Sequence, residues 1–297
     1  MKSYNRREFI KTGVIGLAGS TVLKSYKSKA NKIILQQALV DKVKLGNSGL
    51  IVSRIAMGTG THGYDASSDQ TRIGMDQFKQ LAQQACERGI SFFDMAEGYG
   101  SMPYVGEAIK TLPRENLTLL TKMWTQPNDS EHLENVAQKI DEYRKMLGTD
   151  YIDILFMHCM MKGDWNQTRT HYMDGFSKAK QDGIVRALGV SCHNIDALRE
   201  AAVNPWVDVI MARINPFGTL MDGTPDEIKD ILTAAMQNGK GVIGMKIFGE
   251  GKHIRDEERE QSIRYAINTV KINCLTLGMT SIAQIDDAVE RVMKDVS

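Results

Sequence analysis

Residues from about 51 onward repeat one alternation, and that repeat limits what the chain can fold into. Short apolar runs occur at Ile51–Met57, Ile90–Phe93, Leu117–Thr121, Ile152–Met157, Val185–Val190, Val207–Ala212, Val242–Met245 and about 272–277. Each is followed by a stretch with helical spacing of apolar positions. These stretches are 75–88, 105–112, one opened by Asp129-Ser130-Glu131 and stopped at Leu147-Gly148, 171–181, 194–202, 224–238, 256–270 and 281–294. Continuous apolar runs, rather than alternating ones, read as parallel strands covered on both faces. Eight strand–helix units in ~250 residues fit an α/β fold, the closed (β/α)8 TIM barrel. An open, doubly wound sheet would show the same alternation. Against it, the first strand leads into Gly58-Thr59-Gly60-Thr61-His62-Gly63, not a GxGxxG turn opening a helix. Lys42–Leu45 followed by Gly46-Asn47-Ser48-Gly49 adds a short hairpin ahead of the barrel. At 297 residues, 42% hydrophobic and 25% charged, the chain can bury such a core without staples. That composition excludes disorder and a polytopic membrane protein.

The first thirty residues read as an address. They hold seven basic residues and one acidic, while the whole chain is only +1, so the body is mildly acidic. It carries no electrostatic footprint for nucleic acid. Asn5-Arg6-Arg7-Glu8-Phe9-Ile10-Lys11 precedes an apolar stretch, Gly13 to Leu23, and the segment ends Ser28-Lys29-Ala30. A charged start, a short apolar middle and small residues at a cleavage point make a signal peptide. The stretch is too short and glycine-rich to span a bilayer, so no stable membrane insertion is expected. The segment resembles a twin-arginine (Tat) signal. It implies cleavage after Ala30, a linker over 31–41, a barrel over 42–297, the Tat export machinery as partner of the precursor, and a periplasmic or cell-envelope destination. The four cysteines, Cys86, Cys159, Cys192 and Cys274, form no CxxC pair and read as buried free thiols, although two disulfides are an alternative.

In a barrel of this kind the chemistry sits at the C-terminal ends of the strands. Those positions give Asp94 after the second strand, with Tyr99 five residues on, Lys122 ending the third and His158 ending the fourth. A tyrosine is a poor acid at its ordinary pKa of about 10. A neighbouring ammonium is expected to lower that value, and a carboxylate on the adjacent strand serves as the counter-ion a buried ammonium needs. A histidine beside the phenol orients a carbonyl oxygen. Asp94, Lys122, Tyr99 and His158 therefore make a self-consistent system for delivering a proton to a carbonyl.

The chain resembles the aldo-keto reductases in Phe92-Phe93-Asp94-Met95-Ala96-Glu97-Gly98-Tyr99-Gly100-Ser101, in Leu120-Thr121-Lys122 and in Asp153 through His158. Lys44 through Leu50 and Ala187-Leu188-Gly189-Val190-Ser191 extend the resemblance. It implies an oxidoreductase that reduces an aldehyde, ketone or sugar carbonyl to an alcohol, or the reverse, with NADP or NAD. Tyr99 would be the general acid, tuned by Lys122 and Asp94, with His158 orienting the carbonyl. For the cofactor it implies Gly58, Thr59, Ser191, Lys246, Phe248, Gly249, Gly278, Thr280 and Gln284. The chain departs from the family at Cys192, where an Asn is usual, at Met211 for a Gln, and at Met245 for a stacking Tyr. Gly278-Met279-Thr280-Ser281 lacks the basic residue that takes a 2′-phosphate, which leaves NAD against NADP open. Trp124, Met160, Met161, Trp165 and Phe217 are candidates to line a pocket for a neutral small-molecule substrate. Two other classes stay open at this point: a metal-dependent barrel hydrolase or lyase using His158, Cys192 and His193, and a non-catalytic nucleotide-binding subunit.

Overall fold

In the computed structural model, which describes residues 39–125 and 135–296, the alternation closes on itself. An antiparallel hairpin, β1 (Lys42–Lys44) and β2 (Ile51–Ser53), comes first. Eight parallel strands follow: β3 (Ile55–Gly58), β4 (Phe92–Asp94), β5 (Thr118–Trp124), β6 (Ile152–Met160), β7 (Val185–Cys192), β8 (Val209–Arg213), β9 (Gly241–Met245) and β10 (Cys274–Gly278). They pair in sequence order, and β10 pairs with both β9 and β3 to shut the barrel. The helices are α1 (Asp69–Arg72), α2 (Met75–Glu87), α3 (Met102–Ile109), α4 (Val136–Leu147), α5 (Trp165–Thr168), α6 (Thr170–Gln181), α7 (Ile195–Val203), α8 (Pro225–Gln237), α9 (Asp256–Arg264) and α10 (Ile282–Val296). None of the described helices is long and apolar enough to cross a membrane.

Several boundaries differ from the sequence expectation, each for a local reason. The single strand expected over Ile51–Met57 is two. Arg54 breaks it: its guanidinium binds Asp41 through Nε and Nη2, its N–H bonds Asp41 O, and its carbonyl accepts from Leu275. The helix expected to open at Asp129 starts at Asn135, whose extended backbone and side chain cap the N–H of Gln138. β5 and β6 run past Lys122 and His158, so those residues sit inside strand ends rather than after them. The stretch 256–270 is α-helical only to Arg264 and then π-helical from Tyr265 to Val270. The leader over 1–30 and most of the linker over 31–41 lie outside the described residues.

Side-chain alternation along the strands builds two cores. Ile154 and Phe156 of β6, Val209 and Met211 of β8, Leu120 of β5, Phe92 of β4 and Ile243 of β9 face the barrel interior. Their neighbours Leu155, Met157, Ile210, Leu119 and Phe93 face the helices. Leu45, Leu50 and Val52 of the hairpin region join the interior cluster. Asn47 bonds to Gly239, just before β9 begins, so the hairpin plugs the end where strands start. The opposite end is left for chemistry.

Candidate active site

Two-residue periodicity carries the interior face up to that end. Asp94 is two residues beyond Phe92, Lys122 two beyond Leu120, His158 two beyond Phe156, and Thr276 two beyond Cys274, each of them interior. Parallel registry then places Asp94 and Lys122 on neighbouring strands. The Lys122 ammonium donates to the Asp94 carboxylate and to Met95 O, 2.8 Å away. Thr276 donates to the other carboxylate oxygen at 2.8 Å. Both charged side chains are buried, Lys122 at 1% and Asp94 at 7% exposure.

Tyr99 reaches this pair from the loop after β4. It ends a 3-10 turn, Glu97–Tyr99. Its ring lies in a bed made by two glycines: a Cβ at Gly60 would stand 2.1 Å from the ring, and one at Gly63 would stand 2.6 Å from it. Lys122 Nζ is 4.9 Å from the ring centroid. The His158 ring meets Tyr99 edge-on at 5.7 Å and Trp124 edge-on at 5.7 Å. The four residues expected to act together are brought together on one face.

Electrostatics corrects one expectation. Lys122 does not bring the Tyr99 phenol below its ordinary value. Burial pushes that value up, and Lys122 only pulls part of it back. Tyr99 is therefore firmly protonated at neutral pH. Burial works against the Lys122 ammonium as well, but Asp94 and then Tyr99 hold it above the usual lysine value. His158 is held well below its ordinary value by burial, helped by Lys122 and His193, so its imidazole is neutral.

A cavity of about 540 Å³ opens beside these groups. Of the residues expected at a cofactor, Gly58, Lys246, Phe248, Gly278, Thr280 and Gln284 line it, together with Asp94, Tyr99, Met211 and Met245. Thr59, Ser191 and Gly249 stand behind the lining. The Thr59 hydroxyl donates to Asp94 O at 2.8 Å, Ser191 accepts from Cys159 N at 2.9 Å, and Gly249 is buried in a turn. Gln70, Glu250, Arg259 and Asp287 also line the cavity, and sequence reasoning missed them. They lie on loops and helix faces far apart in the chain, with no motif to mark them.

Two of the five pocket candidates are misplaced by sequence reasoning. Met160 and Trp165 are 1% and 2% exposed and belong to the layer between strands and helices, where the Trp165 indole donates to Ala197 O at 3.2 Å. Trp124 is 42% exposed and meets the His158 ring edge-on. Phe217 stacks on His253 at 3.9 Å, and Met161 is exposed. The four cysteines are free thiols.

A family model described as the aldo/keto reductase family matches residues 54–292. The chain belongs to the aldo/keto reductase family. With that membership the metal-dependent hydrolase or lyase reading of His158, Cys192 and His193 falls. Among the described residues no group of three or more His, Cys, Asp or Glu is placed to hold a metal ion. The chain is 30% identical over 186 residues to the aldo-keto reductase AKR2E4 of Bombyx mori, a match spanning 58% of each chain. It is 26% identical over 285 residues to the L-galactose dehydrogenase of Arabidopsis thaliana, covering 84% of this chain and 86% of that one. The fold superposes on the aldo-keto reductase AKR11C1 of Bacillus halodurans with a TM-score of 0.66 at 19% identity, over 85% of this chain and 91% of that one. Members of the family are NAD(P)-dependent oxidoreductases that interconvert carbonyls and alcohols, and the cavity fits such a cofactor. Its lining joins the proton donor Tyr99 to Met211 and Met245, to Lys246, and to Thr61 and Thr280.

Proposed function

We propose that this reductase acts on a small, neutral carbonyl compound of the aldehyde, ketone or sugar class, with Tyr99 as the proton donor. The observation that carries the reading is the convergence of Lys122 and His158 on Tyr99 and Asp94, which line the cavity. The nicotinamide, when bound, supplies or accepts hydride. The protein's part is proton transfer and orientation. Tyr99 passes its hydroxyl proton to the carbonyl oxygen, and the buried Lys122 ammonium stabilises the phenolate left behind. Asp94 keeps that ammonium charged and in place. Neutral His158 holds the carbonyl oxygen near the phenol. Gly58, Lys246, Gly278, Thr280 and Gln284 contact the cofactor, and Trp124 closes one side of the substrate site.

Replacing Tyr99 with Phe should lower kcat/KM for carbonyl reduction by at least ~100-fold, in line with a lost general acid, while nucleotide affinity changes less than threefold. Turnover surviving in Tyr99→Phe would remove Tyr99 from this role. Nucleotide binding without turnover in the parent chain would favour a non-catalytic nucleotide-binding protein instead.

Residues 1–30 export the protein by the Tat route to the periplasm or cell envelope. This rests on the order of charge, apolar stretch and small residues around Arg6-Arg7. That route carries folded proteins, so the nucleotide travels already bound and is recycled between an alcohol donor and a carbonyl acceptor. Cell fractionation of the full chain against Arg6→Lys/Arg7→Lys tests it. Equal amounts of both outside the cytoplasm, or of neither, would sink the idea.

A further inference from the structure

The cavity that starts at Tyr99 runs to α9 and α10, where Arg259, Gln284 and Asp287 line it. If the reacting ring of a dinucleotide lies beside Tyr99, its other nucleoside lies at this far end. The inference therefore rests on the reductase reading above. The question at the far end is whether a ribose diol or a ribose 2′-phosphate is received better.

Among the described residues, Lys246 and Arg259 are the Lys and Arg side chains that line the cavity, and both are already ion-paired with carboxylates. Lys246 is held by Glu250. Arg259 donates through Nη1 to Asp287 Oδ2 at 2.7 Å and through Nη2 to Asp256 Oδ1 at 3.2 Å. Its Nε is buried and faces no acceptor. Arg291 completes the cluster. It binds Asp287 Oδ1 at 2.9 and 3.0 Å and also the Asp256 carboxylate. Two guanidiniums face two carboxylates, and the cluster is neutral before any ligand arrives.

A phosphate only accepts hydrogen bonds when fully ionised and needs uncommitted donors. Here it would have to meet Arg259 beside the Asp287 and Asp256 carboxylates already paired with it, and like charges that close oppose the approach. A ribose hydroxyl can donate directly to the Asp287 carboxylate, which lines the cavity and breaks no ion pair in accepting. We infer that this chain takes NAD(H) in preference to NADP(H), and that Asp287 and Asp256 are the specificity-determining residues, acting through their hold on Arg259.

The test titrates the full-length protein with NADH and with NADPH, following protein fluorescence. NADH should bind at least tenfold more tightly. Asp256→Asn/Asp287→Asn, which releases Arg259, should narrow that ratio at least fivefold by strengthening NADPH. Thermal melting and circular dichroism confirm that the variant is folded, and Asp287→Asn alone provides a milder version. Arg259→Ala should change both affinities by similar factors. NADPH binding as tightly as NADH to the parent chain, or Arg259→Ala costing NADPH alone tenfold, overturns the inference. A ratio unmoved by the double and the single variant overturns its assignment to these carboxylates. Failure of both nucleotides to bind is a different result: it overturns the reductase reading itself, and this inference with it.

Discussion

At the scale of single residues, the pair Lys122–Asp94 does two jobs with opposite demands. It must be charged to steady a phenolate, and it must be buried to keep water from the proton transfer. Burial alone would neutralise either partner. Mutual contact, Met95 O and the Thr276 hydroxyl supply what water no longer does. Lys122→Met should therefore destabilise the fold by about 3–5 kcal/mol, because it leaves a carboxylate buried without its cation. Urea unfolding measures this, and Lys122→Met/Asp94→Asn should recover part of the loss. Tyr99 makes a second, kinetic expectation. Because burial raises the phenol above its ordinary value of 10, reduction should not decline from pH 7 to 9 through loss of the Tyr99 proton. A kcat/KM profile for carbonyl reduction that falls with an apparent pKa below 9 would contradict that assignment.

At the scale of elements, the strands position the site by parity, and the register between them has little slack. Gly189 of β7 lies opposite Val209 of β8. A Cβ there would stand 1.9 Å from the Val209 carbonyl and 2.6 Å from the Phe156 ring. Neither the carbonyl of a paired strand nor a ring packed inside the barrel can yield cheaply. Gly189→Ala should cost about 1–3 kcal/mol of stability, read as a lower urea midpoint at unchanged slope. Register also departs from regularity at one place. Between Met157 and Met160 the pairing of β6 with β7 shifts, and Cys159 takes a left-handed backbone, φ +61°. The shift lies at His158, where a strand that continued evenly would carry the next side chains to different faces.

At the scale of the whole molecule, the barrel buries imidazoles that would otherwise charge in acid. Burial, with Arg213, Lys246 and Lys122 nearby, lowers His193 to about 3, and His158 is likewise held below its ordinary 6.5. A folded-state value below the unfolded one means that the unfolded chain binds more protons. The contribution of His193 is thus intact above pH 6.5 and is lost as pH falls toward about 3. Within that window His193 costs up to about 1.4 kcal/mol of stability for each unit the pH falls. His193→Gln should flatten the acid limb of stability measured between pH 6.5 and 4. An unchanged slope would show that His193 does not carry it. The closed fold, its eight strands and the acid system were legible in the sequence because they depend on local facts: apolar runs, glycine stops, and the parity that sets Asp94, Lys122 and His158 on the same face as Phe92, Leu120 and Phe156. Tyr99 was legible because it follows Asp94 at short range. The far wall of the cavity was not, because Arg259, Gln284 and Asp287 converge only when α9 and α10 pack side by side after β9 and β10 close the ring. Met160 and Trp165 misled for a related reason: an apolar residue near a strand end suits a pocket or a core equally well, and only packing decided that both fill the core. The direction of the Tyr99 shift was a tertiary outcome too. A lysine at the end of the next strand can be read from sequence, whereas desolvation of the phenol depends on everything that closes over it.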